Sequence, residues 1–182
     1  MKKVILRKLQ KYHSKQQSIT YKIISLLFGM ILFLIILPAF FVYIVFLGDN
    51  YLHIELNRGF ELALSILTIC LGLFFMLWTT VVQWKIGKGI PTPNAPTQHL
   101  VISGPYKLCR NPIELGAIFY YLGVGTIIGG LFIGIICFLL GLIVGSIYHK
   151  YIEENELEDR FGDEYRKYKQ NTPFLFPRLF RR

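Results

Sequence analysis

Acidic residues are scarce in this 182-residue chain: eleven Asp and Glu stand against twenty Lys and Arg, and charged residues of both signs make up only 17% of it. With 53% hydrophobic residues and a mean hydropathy of +0.47, that scarcity excludes an ordinary soluble domain and describes a membrane protein. The net charge of +9 does not describe a nucleic-acid binder either, because the basic residues are not interleaved with a soluble fold. Their first cluster, "MKKVILRKLQKYHSKQQSITYK", sets seven Lys or Arg and no acid ahead of the first apolar run, the pattern of a juxtamembrane segment facing anionic lipid. Cysteine is also sparse. Cys70, Cys109 and Cys137 are scattered, which excludes a disulfide framework and a metal-ligand spacing. Two of them lie in apolar runs and read as core, while Cys109 stands beside Arg110, a cation able to lower a thiol pKa. No histidine or acid accompanies Cys109 at a spacing that argues for a pair. Phosphate-binding and dinucleotide-binding glycine loops and a His-Glu-x-x-His pair are missing, and His13, His53, His99 and His149 lie in unrelated segments, so no metal site is expected.

Long hydrophobic runs are what the chain has in abundance. A helix needs about 20 apolar residues to cross a hydrocarbon core of roughly 30 Å. "IISLLFGMILFLIILPAFFVYIVFL" (23 to 47) meets that length, with Pro38 a point of kinking, and at 25 residues it exceeds the core of a cleaved signal peptide. "FELALSILTICLGLFFMLWTTVV" (60 to 82) meets it too, with Trp78 and Trp84 near an interface. The short "GDNYLHIELNRG" between them predicts antiparallel neighbours. The third run, 113 to 149, is too long for one span, and Gly129-Gly130 divides it into a helical hairpin whose further glycines permit close helix contact. The expected fold is all-α and multi-pass, with about four transmembrane spans, a C-terminal hairpin and a cytoplasmic C-terminal helix. Residues 1–82 hold the basic segment and two spans, and residues 83–182 hold the remainder.

Charge orients the spans. The N-terminal segment carries seven basic residues and the 83–112 loop four with no acid, whereas the 48–59 loop carries one basic residue and two acids. Both termini and the long loop therefore belong on the cytoplasmic side, of the inner membrane if the cell is prokaryotic. Residues 85–114 and 150–178 then meet at one face, at the two ends of the same hairpin.

The first of these segments contains "GPYKLCRNPIELG". Four prolines from Pro91 to Pro105 forbid a regular helix there, Arg110 offers a planar donor fork suited to a carboxylate, and Pro112 can open the next helix. Two readings of Lys107 and Arg110 stand side by side, as ligand-binding cations and as snorkelling interface residues. Glu114 near the helix start can pair with Lys107 or Arg110. The second segment, "YIEENELEDRFGDEYRKY", sets Glu154, Leu157, Phe161, Tyr165 and Tyr168 on one helical face, with Glu153 a turn from His149. Its later acids, Glu156, Glu158, Asp159, Asp163 and Glu164, fit a solvated, salt-bridged helix, while Glu153 and Glu154, nearest the membrane, need a partner.

Together, "SGPYKLCRNPIELG" and, after a glycine-rich hairpin, "EENELEDRFGDEYRKYKQNTPFLFPR" resemble the membrane methyltransferase family that includes isoprenylcysteine carboxyl methyltransferases and phospholipid methyltransferases. The likeness covers roughly residues 85–178. It implies an S-adenosylmethionine-dependent methyltransferase with a pocket closed by cytoplasmic segments and a lipid-facing tunnel for a lipophilic acceptor. By position, Gly104, Tyr106, Arg110, Asn111, Pro112 and Gly116 correspond to the family's first motif, and Glu153, Glu154, Leu157, Phe161, Gly162, Tyr165 and Tyr168 to its second. The resemblance makes Arg110, Asn111, Glu153 and Glu154 catalytic candidates, and Gly104, Tyr106, Pro112, Gly116, Leu157 and Tyr165, with those four, candidates for holding the cofactor. Asn111 stands where the prenylcysteine enzymes carry histidine, which weakens a prenylated-protein substrate, and Glu114 stands where tyrosine is frequent, which the resemblance opens to contact with a cationic acceptor as the alternative to pairing with Lys107 or Arg110. The acceptor atom, oxygen, nitrogen or sulfur, and the oligomeric state stay open. A small transporter or scaffold is the rival, and the absence of ionisable residues deep in spans one, two and four speaks against transport.

Overall fold

The computed structural model describes residues 18–48, 56–91 and 97–177; most of the N-terminal basic cluster, the centre of the first loop, Pro93, Pro96 and the last five residues lie outside them. Among the described residues, four helices are long and apolar enough to cross a membrane: α1 (Ile19–Phe46), α2 (Arg58–Gly87), α3 (Pro112–Gly129) and α4 (Leu131–Phe161). A short α5 (Asp163–Asn171) follows. The protein is thus an all-α, multi-pass integral membrane protein. At 31 residues α4 measures about 46 Å, longer than the hydrocarbon core is thick, so its charged end projects beyond the bilayer.

Helix starts follow local chemistry. Ser18 caps α1 through the Tyr21 N–H (3.2 Å), Asn57 caps α2 through the Gly59 N–H (2.8 Å), and Pro112 opens α3 at a position where its missing N–H costs nothing. The irregularity expected at Pro38 appears one turn earlier, as a π-type turn at Leu32–Ile36 that absorbs the lost backbone donor. Two more π-type turns, Gln83–Gly87 and His149–Glu153, widen α2 and α4 at the charged end. Such turns re-aim side chains.

The hairpin turns where the glycines predict it. Gly130 sits at φ 87°, a conformation that a side chain would oppose, and its position breaks α3 from α4. Glu61 of α2 caps the restarted helix by accepting from the Leu131 N–H at 3.0 Å. α3 is the central element: 56% of its apolar window is buried, against 17% in α1 and 22% in α2 and α4. α2 lies along it with Gly72 against Gly116, where an added Cβ on Gly72 would come within 2.6 Å of the Gly116 carbonyl.

The expected pairing of the first two spans is corrected. Their directions are antiparallel, and they meet where Lys22 Nζ donates to the Lys88 carbonyl (2.5 Å) above the Trp84 ring. The buried side chains of α1, however, join α3 and α4: Phe41 and Val42 pack with Ala117, Tyr121, Ile133 and Cys137, and the Phe41 and Tyr121 rings meet edge to face at 5.5 Å. A short loop sets direction; close glycine contact decides which helix takes α3's other flank.

Candidate active site

Arg110 joins the two motif segments. It lies just ahead of Pro112, so its side chain escapes α3 and reaches the end of α4, where Nη2 stands 2.7 Å from Glu154 Oε1 and Nε donates to the same oxygen at 2.9 Å. Lys169 Nζ of α5 meets the other oxygen at 2.8 Å, so Glu154, only 3% exposed, is held by two cations. Arg110 Nη1 also donates to the carbonyls of Lys169 (2.8 Å) and Thr172 (2.7 Å). Its donor fork is thereby committed to protein groups.

The chain after α5 folds back over this pair. The backbone N–H groups of Arg110 and Asn111 donate to the carbonyls of Pro173 (2.9 Å) and Phe174 (3.2 Å), and Asn111 Nδ2 adds a bond to the Phe174 carbonyl at 3.0 Å. Arg110 also lies over the Phe174 ring. Leu175 is buried with Cys109, Leu115 and Ile118, which seals the contact with apolar surface. Cys109 is fully buried, and burial pushes its thiol up to about 12 in spite of Arg110. Desolvation outweighs the neighbouring cation, so the activated thiol considered from sequence is not formed.

Gly104, at φ 61°, turns the chain into a 3-10 turn, Gly104–Lys107, against Val82 of α2. That turn buries Tyr106, whose hydroxyl accepts from Gln83 Nε2 and whose carbonyl accepts from Tyr168 OH at 2.7 Å. Burial, reinforced by Glu153, raises the Tyr106 hydroxyl well above its ordinary value and keeps it neutral. Burial likewise raises the hydroxyls of Tyr165 and Tyr168. Tyr165 is 1% exposed, with its ring 6.2 Å from that of Tyr168. Leu157 is half-buried on α4, Phe161 lies under the Arg160 guanidinium, and Gly162 at φ 54° separates α4 from α5. Gly116 meets Gly72 and Met76, which places it at the seam between α2 and α3.

Glu114 is not paired with Lys107 or Arg110 as one sequence reading expected. Its Oε1 accepts from Ser146 Oγ of α4 at 2.9 Å, and its Oε2 faces His149 Nε2 at 3.8 Å. The helical rotation set by Pro112 turns Glu114 inward while Arg110, ahead of the helix, turns towards α5. His149 Nδ1 is bonded to Glu153 Oε2. The later acids form the charged surface expected of them: Arg160 pairs with Glu156 (3.3 Å), and Arg166 with Glu158 (3.4 Å) and Asp163 (2.6 Å). Sequence reasoning passed over Gln83, Ser146 and Lys169. Gln83 carried a signal, a polar residue closing an apolar span; the other two depend on which helices meet.

Among the described residues, no group of three or more His, Cys, Asp or Glu is placed to hold a metal ion. No solved structure matches the chain. Methanethiol S-methyltransferase 1 of Bradyrhizobium diazoefficiens is 33% identical over 97 residues, 53% of this chain and 31% of that protein. The cobalt-zinc-cadmium resistance protein CzcN of Cupriavidus metallidurans is 36% identical over 84 residues, 44% of this chain and 36% of that protein. The chain spans about a third of the length of these curated relatives. The model of the phospholipid methyltransferase family matches residues 60–164, more than half of the chain and a stretch that takes in nearly all of α2, the whole hairpin, the first charged segment and the second as far as Glu164. This chain belongs to the phospholipid methyltransferase family, a family of membrane enzymes that use S-adenosylmethionine.

Proposed function

We propose that this protein transfers a methyl group from S-adenosylmethionine to a lipophilic acceptor at the cytoplasmic face of its membrane. The observation that carries the reading is the Arg110–Glu154 pair, which joins the two motif segments at one end of the α3–α4 hairpin within the span of the family match.

The buried groups suit such a cofactor. Gln83 Oε1 is a buried acceptor without a hydrogen-bond partner among the described residues, and Glu153 has His149 beside it. Acceptors in surplus fit a ligand that brings positive charge and hydroxyl donors. The residues proposed to hold it are Gly104, Tyr106, Arg110, Asn111, Pro112, Gly116, Glu153, Glu154, Leu157 and Tyr165. In this reading Arg110, with Asn111, shapes the site by fixing Glu154 and the returning chain, and Gly116 lets α2 close against its wall. When bound, the cofactor supplies a methyl group on a positively charged sulfur, open to direct displacement by a nucleophile. The protein's part is to align the acceptor and exclude water. The neutral tyrosines Tyr106, Tyr165 and Tyr168 and the returning segment at 173–175 form the dry side of the site.

Sidedness follows the charges: four basic residues and no acid in the 83–112 loop against one basic residue and two acids in the 48–59 loop. The division of the chain after residue 82 belongs to this proposal, with α2 serving as a wall of the catalytic region. A transport or scaffold role predicts no affinity for S-adenosylmethionine. Calorimetry of S-adenosylmethionine binding to the protein in lipid nanodiscs separates the two, with Arg110→Ala and Glu154→Ala variants verified as folded by circular dichroism. Binding by the wild type that is lost in both variants supports the enzyme; a folded wild type that does not bind overturns it.

A further inference from the structure

Glu114 is a buried carboxylate with one oxygen unused. The residue is 4% exposed; Oε1 is taken by Ser146, while Oε2 has no hydrogen-bond partner among the described residues. Opposite it α4 presents Gly145, where an added Cβ would lie 2.8 Å from Oε1 and 2.9 Å from Cδ. Only a residue without a side chain leaves room for the acid there. His149 stands beyond, its Nε2 3.8 Å from Glu114 Oε2 and its Nδ1 bonded to Glu153. Glu114, His149 and Glu153 thus form a row in which one imidazole serves two carboxylates. The neighbouring cations are engaged elsewhere, Arg110 and Lys169 with Glu154, and Arg160 with Glu156 and the Thr97 carbonyl. One imidazole faces two carboxylates, so the buried Glu114 shares its partner with Glu153, and a buried acid balanced so weakly is costly unless it has work to do.

Resting on the methyltransferase reading, we propose that this row is where the methyl acceptor gives up a proton, with Glu114 Oε2 the receiving atom, and that the acceptor is a thiol or an amine rather than a carboxylate. A carboxylate acceptor is already ionised, needs no base, and would be repelled by the row. A thiol must lose its S–H proton to become the nucleophilic thiolate, and an ammonium group must lose one N–H proton to free its lone pair. That proton passes to Glu114 Oε2. The freed lone pair on sulfur or nitrogen forms the new bond to the methyl carbon, and the electron pair of the broken carbon–sulfur bond stays on the donor's sulfur, which becomes a neutral thioether. His149 carries the proton on to Glu153, whose side chain is 35% exposed and opens the row to water.

The groups that face the row come from every side. Ser146 and His149 of α4 and Cys109 of the preceding turn face Glu114, while Tyr106 of the 3-10 turn, Tyr148 and Arg160 of α4, and the neighbouring Glu154 face His149 and Glu153. Cys109 and Tyr106 stay neutral through burial and do not compete for the proton near neutral pH.

The test uses the protein in nanodiscs with S-adenosylmethionine and three probes of equal chain length, decanethiol, decylamine and decanoic acid, beside a Glu114→Gln variant that keeps the shape and the Ser146 bond. Calorimetry with S-adenosylhomocysteine is run on both proteins. Expected are methylation of the thiol or the amine, which also tells them apart, and none of decanoate. The variant should lose about 100-fold or more in kcat, and with it the rise of kcat with pH, while its cofactor affinity stays within about threefold. His149→Gln should flatten the same pH profile if Glu114→Gln folds poorly. Methylation of decanoate, methylation of none of the three by protein that binds the cofactor, or an unchanged kcat in Glu114→Gln overturns the proposal. Failure to bind the cofactor at all overturns the methyltransferase reading instead.

Discussion

Arg110 and Glu154 stand 44 residues apart in sequence and 2.7 Å apart in space, with the whole α3–α4 hairpin between them. The side chains are 12% and 4% exposed, so the pair is largely withdrawn from water. Its Coulomb attraction offsets a large desolvation cost only while both partners are present. Arg110→Ala leaves Glu154 with Lys169 alone and frees two backbone carbonyls that had been satisfied. The expected loss is about 3 kcal/mol or more of stability. Arg110→Lys should recover only a minor part of it, because an ammonium cannot reach one carboxylate and two carbonyls in the fork geometry of arginine. Denaturant titration in mixed micelles, followed by circular dichroism, measures both. Equal stability of Arg110→Lys and wild type would show that the fork is not what holds the hairpin ends.

At the opposite end of the bundle, Glu61 caps α4 through the Leu131 N–H while Arg58 donates to the Ile127 carbonyl at 3.2 Å. These contacts hold α2 to both arms of the hairpin turn. Glu61→Ala removes a cap and leaves an N–H without a partner, at a cost of about 1–2 kcal/mol. The site is a hairpin's length away, so cofactor affinity in the folded variant should stay within about threefold of wild type. Thermal unfolding and calorimetry on the same sample check the two halves of this prediction; a large fall in affinity would mean that the turn and the charged end are coupled.

The spans and the hairpin were legible because both rest on run length and on a glycine pair, features that local sequence carries. The charged face was legible for a similar reason, since motif segments at the two ends of a hairpin must meet. What escaped was lateral. Loop length showed that α1 and α2 run in opposite directions, but Phe41 and Val42 pack on α3 and α4 because of shape complementarity that no spacing displays. Glu114 had plausible cationic neighbours in sequence, and only the rotation of α3 shows that it faces Ser146 and His149. The docking of residues 173–175 runs through backbone carbonyls, which leave no trace in residue identity.

Cys109 offers a direct readout of that docking. With the thiol raised to about 12, its thiolate fraction at pH 8 is on the order of one in ten thousand, against roughly a quarter for an ordinary cysteine. In a Cys70→Ser, Cys137→Ser background, N-ethylmaleimide at pH 8 should leave Cys109 unmodified over times that fully label denatured protein. Adding Leu175→Ala removes the apolar cover over Cys109 and should make the thiol reactive. Mass spectrometry follows the reaction; rapid labelling of the folded parent would contradict a sealed contact between Cys109 and Leu175.

The proposed orientation makes Lys107 and Asn57 face opposite sides of the membrane. Both are exposed, and both lie just outside spans, Lys107 in the 3-10 turn and Asn57 at the start of α2. Placed singly as cysteines in a background where Cys70, Cys109 and Cys137 are serine, they can be probed with a membrane-impermeant maleimide. In right-side-out vesicles Asn57→Cys should label at once and Lys107→Cys only after permeabilisation. The reverse pattern would put the Arg110–Glu154 face outside, away from the intracellular supply of S-adenosylmethionine, and would remove the cytoplasmic part of the functional proposal while leaving the fold untouched. Labelling of both without permeabilisation would instead contradict the four-span topology, because α2 alone separates the two positions in the chain and must cross the bilayer for either orientation to hold.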